Sequence, residues 1–233
     1  MPEITFTAPA GALPGYIAEP ETGGPWPGVV VLQDVRGITA DLRGVADRLA
    51  EAGYLAIVPD LYGRGLKITC MVASIRAHFA EKGRTFDDII AARDHLAADP
   101  RCTGKIGLIG FCMGAGFVLQ LSPRGLFDAA APNYGLSPKN IETLAQSCPL
   151  VASYGAKDRI VPAGSARQLE AVLTKAAVPH DIKEYPDVGH AFMNKASAPL
   201  RVITNLAGMS YSEPEAEDAW GRILAFFGEQ LID

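Results

Sequence analysis

The sequence predicts an α/β domain built on a mostly parallel sheet with helices on both faces. Three observations carry this. Short β-branched apolar runs, such as 28–32 and 54–58, alternate along the chain with stretches whose apolar residues fall at helical spacing; strands alternating with helices make parallel α/β layers. The runs are continuous instead of alternating in polarity, as strands covered on both faces must be. Polar turns follow several of the predicted strands, and in parallel sheets the C-terminal edge is the one that carries ligands.

Taken in order, 4–6 and 16–18 flank a turn containing Pro and Gly and read as an antiparallel hairpin at a sheet edge. Residues 19–27 are rich in Pro and Gly and read as a surface loop. The strand at 28–32 ends in Gln33-Asp34-Val35-Arg36-Gly37. Thr39 caps a helix over 40–52, with Leu42, Val45, Ala46 and Leu49 in one stripe and Gly53 as its stop. A strand at 54–58 runs into Pro59-Asp60-Leu61-Tyr62-Gly63. Residues 64–84 give a loop and one helix without firm ends. Thr85-Phe86-Asp87-Asp88 reads as a capping box for a helix with Ile89, Ala92 and Leu96 inward. Strands follow at 106–109, 129–134, 150–154 and 180–185. Apolar 115–121 gives a buried helix, and Leu169, Val172 and Leu173 give another. Residues 194–213 have no clear period. Ser212-Glu213-Pro214-Glu215 caps a last helix whose inward face is Ala216, Ala219, Trp220, Ile223, Leu224 and Phe227.

The chain has 233 residues, 48% hydrophobic and 20% charged, so one sizeable core can form and residues 1–233 read as a single domain. A net charge of −5 argues against a nucleic-acid surface. No apolar run is long enough to span a bilayer and no signal segment opens the chain, so a cytoplasmic protein with neither a membrane nor a nucleic-acid partner is expected. Cys70, Cys102, Cys112 and Cys148 form no Cys-x-x-Cys pair, which gives no zinc or redox motif. Neither metal nor cofactor is expected. Three of these cysteines read as small apolar residues. His95 and His180 read as structural and His78 as a solvated side chain.

The chemistry centres on Gly110-Phe111-Cys112-Met113-Gly114, which lies between a buried strand and a buried helix. Strand, sharp turn carrying a reactive residue, and helix are the nucleophile elbow of α/β-hydrolases. The two glycines are needed because the strand and helix approach so closely that a Cβ would clash. A thiol at a helix N-terminus is favoured as thiolate. Asp158 and His190 each follow a later strand, so nucleophile, acid and base occur in the chain order of that fold's triads. An imidazole can take the thiol proton, and a carboxylate can hold the imidazole's other nitrogen. The backbone N–H groups of Met113 and Val35 are the expected donors to an oxyanion. Taken singly, Asp158 also reads as a turn residue and His190 as a surface-loop histidine.

Over nearly its whole length the chain resembles the dienelactone hydrolases (carboxymethylenebutenolidases). The resemblance rests on Gln33-Asp34-Val35-Arg36-Gly37, Pro59-Asp60-Leu61-Tyr62, the Cys112 elbow, Tyr134-Gly135, Gly155-Ala156-Lys157-Asp158 and Gly189-His190-Ala191-Phe192. It implies an α/β-hydrolase fold and a Cys112-Asp158-His190 triad. It also implies a catalytic role for Asp34, which stands where well-known members carry a Glu that helps to deprotonate the thiol. Asp34 is one methylene shorter. Tyr134 and Asn194 are implied near substrate, and Asn194 is neutral where the family places a carboxylate-binding Arg. Arg36, or else Arg64 or Arg76, is the candidate replacement.

The expected function is cysteine-dependent hydrolysis of a small ester or lactone through a thioester acyl-enzyme. The alternative is a hydrolase-fold module that binds a small electrophile or lactone without turnover. Residues 194–213 are expected to cover the site, with Leu200, Val202, Ile203, Leu206 and Met209 as an apolar wall. The oligomeric state is left open by the sequence.

Overall fold

The computed structural model describes residues 3–21, 23–195 and 209–232. Eight strands form one sheet: β1 (Glu3–Ala8), β2 (Gly11–Ala18), β3 (Trp26–Leu32), β4 (Leu55–Pro59), β5 (Cys102–Phe111), β6 (Ala129–Asn133), β7 (Leu150–Gly155) and β8 (His180–Tyr185). Their order across the sheet is β1-β2-β4-β3-β5-β6-β7-β8. Only the β1–β2 and β2–β4 pairs are antiparallel; the other five are parallel. The antiparallel hairpin thus closes one edge, as its turn chemistry predicts.

Among the described residues, α1 (Ala40–Glu51), α2 (Lys67–Ala80), α3 (Arg84–Ala98), α4 (Met113–Leu121) and α5 (Ser165–Lys175) lie between strands, and α6 (Glu213–Phe227) follows the last strand. Gly107 and Gly110, an odd number of residues apart on β5, show the two covered faces. A Cβ at Gly107 would meet Leu231 and Phe227 at the end of the chain, whereas one at Gly110 would meet Gly114 and Val118 of α4. On the first face α1 and α6 are tied by Arg48, which pairs with Glu217 and lies over the Trp220 ring. On the other, Phe117 of α4 meets Phe86 of α3 and His78 of α2 edge-on.

Several elements differ from expectation. Strand β3 starts at Trp26, inside the expected loop, because Trp26 N–H donates to Arg101 O at 2.8 Å and continues the β5 ladder. Helix α3 starts at Arg84 with Gly83 at its N-cap. Thr85 caps nothing: it is buried, and its hydroxyl donates to Ser74 Oγ at 3.3 Å. Asp88, the other end of that expected box, is buried and takes both hydrogen bonds from Arg64 at 2.7 Å. Ser212 does sit at the N-cap of α6, but its hydroxyl donates to Glu215 instead of accepting from the backbone. Breaking the Arg64–Asp88 pair leaves a buried carboxylate whose remaining cation is Arg84, at 4.0 Å. Arg64→Ala is therefore expected to destabilise the fold by roughly 3 kcal/mol in urea unfolding, with its midpoint lowered and its slope unchanged.

The expectation that His78 is solvated is corrected. His78 is buried, and Gln120 Nε2 donates to its backbone carbonyl at 3.1 Å. It was missed because α2 had no legible period. Burial pushes the imidazole below its ordinary pKa, and the neighbouring Glu81 offsets this only partly. Its ring fills the space beside Gly116, where a Cβ would stand 2.2 Å from His78 Cε1. Gly116→Ala is therefore expected to cost about 1–3 kcal/mol by overpacking, read by the same unfolding measurement. His180 and His95 hold structural places, the first bonded to Val178 O and the second stacked on Phe6.

Candidate active site

Cys112, Asp158 and His190 follow β5, β7 and β8, and Asp34 follows β3, so all four lie at the sheet's C-terminal edge. Cys112 has φ 55° and ψ −115°, a region that non-glycine residues rarely occupy. The turn is fixed from both sides: Cys112 N–H donates to Asn133 O at 3.1 Å, and Cys112 O accepts from Gly116 N–H at 3.2 Å. A Cβ on Gly110 would lie 2.6 Å from Gly114 backbone, and one on Gly114 would lie 2.6 Å from Gln33 O. No side chain fits at either place, which is the physical content of the Gly-x-Cys-x-Gly spacing. Met113 is the first residue of α4, so its N–H has no intrahelical acceptor.

His190 is buried, and its Nδ1 lies 2.7 Å from Asp158 Oδ2. The other carboxylate oxygen accepts from Ile160 N–H at 2.7 Å and Val161 N–H at 3.0 Å. Burial alone would push the imidazole down. Asp158 and the adjacent Cys112 sulfur outweigh it and raise His190 to about 9. Nε2 is buried with no partner of normal hydrogen-bond geometry among the described residues, so the Cys112 influence is proximity and not a formed bond. Burial likewise favours neutral Asp158, but His190 and the two N–H groups hold its carboxyl below the ordinary range.

These shifts fix the sign of the pH dependence. Asp158's contribution to stability is lost as pH falls through its depressed pKa. That of His190 is complete below its unfolded value of 6.5 and is lost as pH rises through about 9. In Asp158→Asn the His190 titration, followed by imidazole NMR, is expected to fall from near 9 by at least about one unit.

The first loop is held by charge. Asp34 is buried; its Oδ1 accepts Arg36 N–H and its Oδ2 accepts Arg36 Nε, each at 2.7 Å, and Arg36 Nη2 lies 2.6 Å from Oδ2. Arg36 also reaches Asp41 of α1 at 3.8 Å. Tyr62 OH donates to Val35 O at 3.3 Å and props the loop from β4's side. Asp41 in turn accepts from Asn194 Nδ2 at 3.1 Å and Lys195 N–H at 3.0 Å, and Tyr134 OH donates to Asn194 Oδ1 at 2.5 Å. Burial pushes Asp41's carboxyl up despite these donors.

A cavity of about 60 Å³ opens between Asp34, Val35, Arg36, Cys112, His190, Ala191, Asn194 and Met209. Besides Arg64 and Arg76, it leaves out only Asp158, Met113 and Tyr134 of the expected catalytic, oxyanion and substrate residues. Asp158 stands behind His190. Met113 is buried directly after Cys112. Tyr134 is fully buried, packed edge-on against His190 and Phe192, so it backs the wall through Asn194 instead of forming it. Arg64 is committed to Asp88 and the carbonyls of Gly11 and Ala12, and Arg76 is exposed on α2; neither lines the cavity. Of the expected apolar wall, Met209 is in place, while Leu200, Val202, Ile203 and Leu206 lie outside the described residues.

Asp41 and the roles of Tyr62 and Asn133 were not foreseen. An acid in the first turn of a helix reads as a favourable end charge, so nothing in Asp41's neighbourhood betrays a site. Tyr62 follows the C-terminal end of a strand, which was the available signal. Among the described residues no cluster suited to a metal ion occurs, all four cysteines are free thiols, and no helix is long and apolar enough to cross a membrane.

The model of the Dienelactone hydrolase family matches residues 13–231. A "Putative carboxymethylenebutenolidase" of Synechocystis sp. is 30% identical, covering 93% of this chain and 92% of its own. Another so described, of Escherichia coli K12, is also 30% identical, over 92% and 82%. The crystal structure of a "Putative Dienelactone Hydrolase" from Klebsiella pneumoniae superposes with a TM-score of 0.81 at 27% identity over 98% of both chains. With its eight-stranded sheet and a family match running almost from end to end, this chain belongs to the dienelactone hydrolase family of the α/β-hydrolase fold.

Proposed function

We propose that the protein is a cysteine-dependent hydrolase of small carboxylic esters or lactones, working through a Cys112-Asp158-His190 triad. The observation that carries this is the burial of His190 with Nδ1 tied to Asp158 and Nε2 beside Cys112 without a hydrogen-bond partner among the described residues. Asp158 fixes the tautomer, so Nε2 is the nitrogen available to exchange a proton with the thiol. The Cys112 sulfur attacks the carbonyl carbon, and the negative oxygen is received by the N–H groups of Met113 and Val35. Collapse expels the alcohol or enol, which takes the proton from His190, and leaves a thioester on Cys112. His190 then removes a proton from water as it attacks the thioester carbonyl; collapse breaks the C–S bond, releases the carboxylic acid and returns that proton from His190 to the Cys112 sulfur.

The site's charge bears on the substrate class. Arg36 already faces Asp34 and Asp41, so the three together carry a net charge of −1 with the carboxylates ionised. An incoming carboxylate would have to displace one of them. A neutral ester or lactone is therefore expected to have a kcat/KM at least about tenfold above that of its carboxylate-bearing analogue. Steady-state kinetics on such a pair checks this, and the opposite preference would return Arg36 to the role of carboxylate clamp. The cavity's size suits an acyl group of a few heavy atoms.

Mixing the protein with an activated ester tests the overall reading. Mass spectrometry should show a transient acyl adduct on Cys112 followed by sustained release of acid. An adduct that never clears would make the protein a trap and not an enzyme.

A further inference from the structure

Helix α2 takes no part in the site, yet it carries an unusual surface. Only seven large hydrophobic side chains are exposed among the described residues, and four belong to α2 and its N-cap: Leu66 (76%), Ile68 (61%), Val72 (38%) and Phe79 (60%). Ile68, Val72 and Phe79 lie along one line of the helix, with Ile75 between them partly buried against the core. The opposite face of α2, with Cys70, Ser74, Ala77 and His78, is buried against the fold. The line is therefore a second apolar face, turned outward.

Its charges are equally one-sided. Residues 66–84 contain Lys67, Arg76, Lys82 and Arg84 but only Glu81 as an acid, a net +3 in a chain whose total is −5. A fifth exposed hydrophobic, Val35, lies on the first loop and lines the Cys112 cavity. A Cβ at Gly37 would stand 3.4 Å from Lys67 Cε, so the start of α2 lies against the same loop.

We propose that this face docks on a membrane surface rich in anionic phospholipid, with the apolar line in the headgroup boundary and the flanking cations on the lipid phosphates. An exposed apolar stripe bordered by Lys and Arg is the pattern of helices that lie on membranes without spanning them. Two copies meeting through this face would bring like charges together, which is why charge favours the lipid. The proposal departs from the sequence expectation of no membrane partner, and it places the mouth of the cavity next to the bilayer. It does not depend on hydrolysis, because binding is measured without turnover.

The test is co-sedimentation of the full chain with vesicles of phosphatidylcholine alone and of phosphatidylcholine and phosphatidylglycerol in equal parts. Partition onto the anionic vesicles is expected to be at least about tenfold stronger and to weaken with added salt. Ile68→Glu/Phe79→Glu should abolish it, and so should Lys67→Glu/Arg76→Glu, each with an unchanged far-UV circular dichroism spectrum. Equal partition onto both vesicles, or none, overturns the proposal, as does wild-type binding by the charge-reversed variant. Wild-type dimers that Ile68→Glu/Phe79→Glu dissolves would also overturn it and give the face to a second copy.

Discussion

Cys112→Ala is expected to lower kcat by roughly 10⁴-fold or more while the protein remains folded. The backbone around Cys112 is held by Asn133 O and Gly116 N–H, neither of which needs the sulfur. Alanine must still adopt φ 55°, as cysteine does, so the strain is inherited and not added. What disappears is the one thiol among the described residues that line the cavity. Cys70, Cys102 and Cys148 are free thiols, but none lines that cavity. Burial, with Asp128 nearby, pushes the Cys148 thiol up to about 12, which keeps it protonated and inert at neutral pH. Iodoacetamide should therefore inactivate the wild type by alkylating one residue, with Cys112→Ala insensitive. Hydrolysis at the wild-type rate by Cys112→Ala would remove the thiol from the mechanism. Cys112→Ser should also lose most activity, because a serine hydroxyl is far less acidic and His190 must then remove its proton during attack.

How much of this could be read from the chain alone differs by element. The centre of the sheet was legible because strands such as β3, β4 and β5 are continuous apolar runs with turn residues after them, and burial on both faces imposes that pattern directly. The elbow was legible because close packing at Gly110 and Gly114 excludes every other residue, so the constraint is written in the sequence itself. Helix α2 was not. Its buried face contains Cys70, Ser74, Ala77 and His78, none strongly apolar, while its exposed face carries Ile68, Val72 and Phe79. That inversion erases the usual helical signal. The capping box at 85–88 misled for a related reason: Thr85 and Asp88 suit an N-terminus, but long-range partners, Ser74 and Arg64, claim their side chains. The chain of contacts from Tyr134 through Asn194 and Asp41 to Arg36 joins residues up to 158 positions apart in sequence, counting from Arg36 to Asn194. No local pattern can encode such a link, so Asn194 could be placed near the site only through the family resemblance after His190, and its partner not at all.

His190→Ala is expected to cost about as much as Cys112→Ala, and adding Asp158→Ala to it should cost little more. The reason lies in how the three groups are coupled. Asp158 reaches the reacting atoms only through His190: one carboxylate oxygen is on Nδ1 and the other is used by Ile160 and Val161. With the imidazole gone, Asp158 has no catalytic partner left, so its removal changes only the local turn. Alone, Asp158→Ala should lower kcat by roughly 10²–10⁴-fold, since the imidazole loses its tautomer, its orientation and part of its raised proton affinity. Effects of residues that act as one unit are strongly non-additive, and the double mutant measures that directly. Comparing kcat for the two single mutants and the double mutant on one neutral ester gives the coupling. If the double mutant falls below His190→Ala by the full factor lost in Asp158→Ala, the two residues do separate jobs. Asp158 would then be a turn residue whose two backbone hydrogen bonds are its whole function, and His190 would need another orienting group.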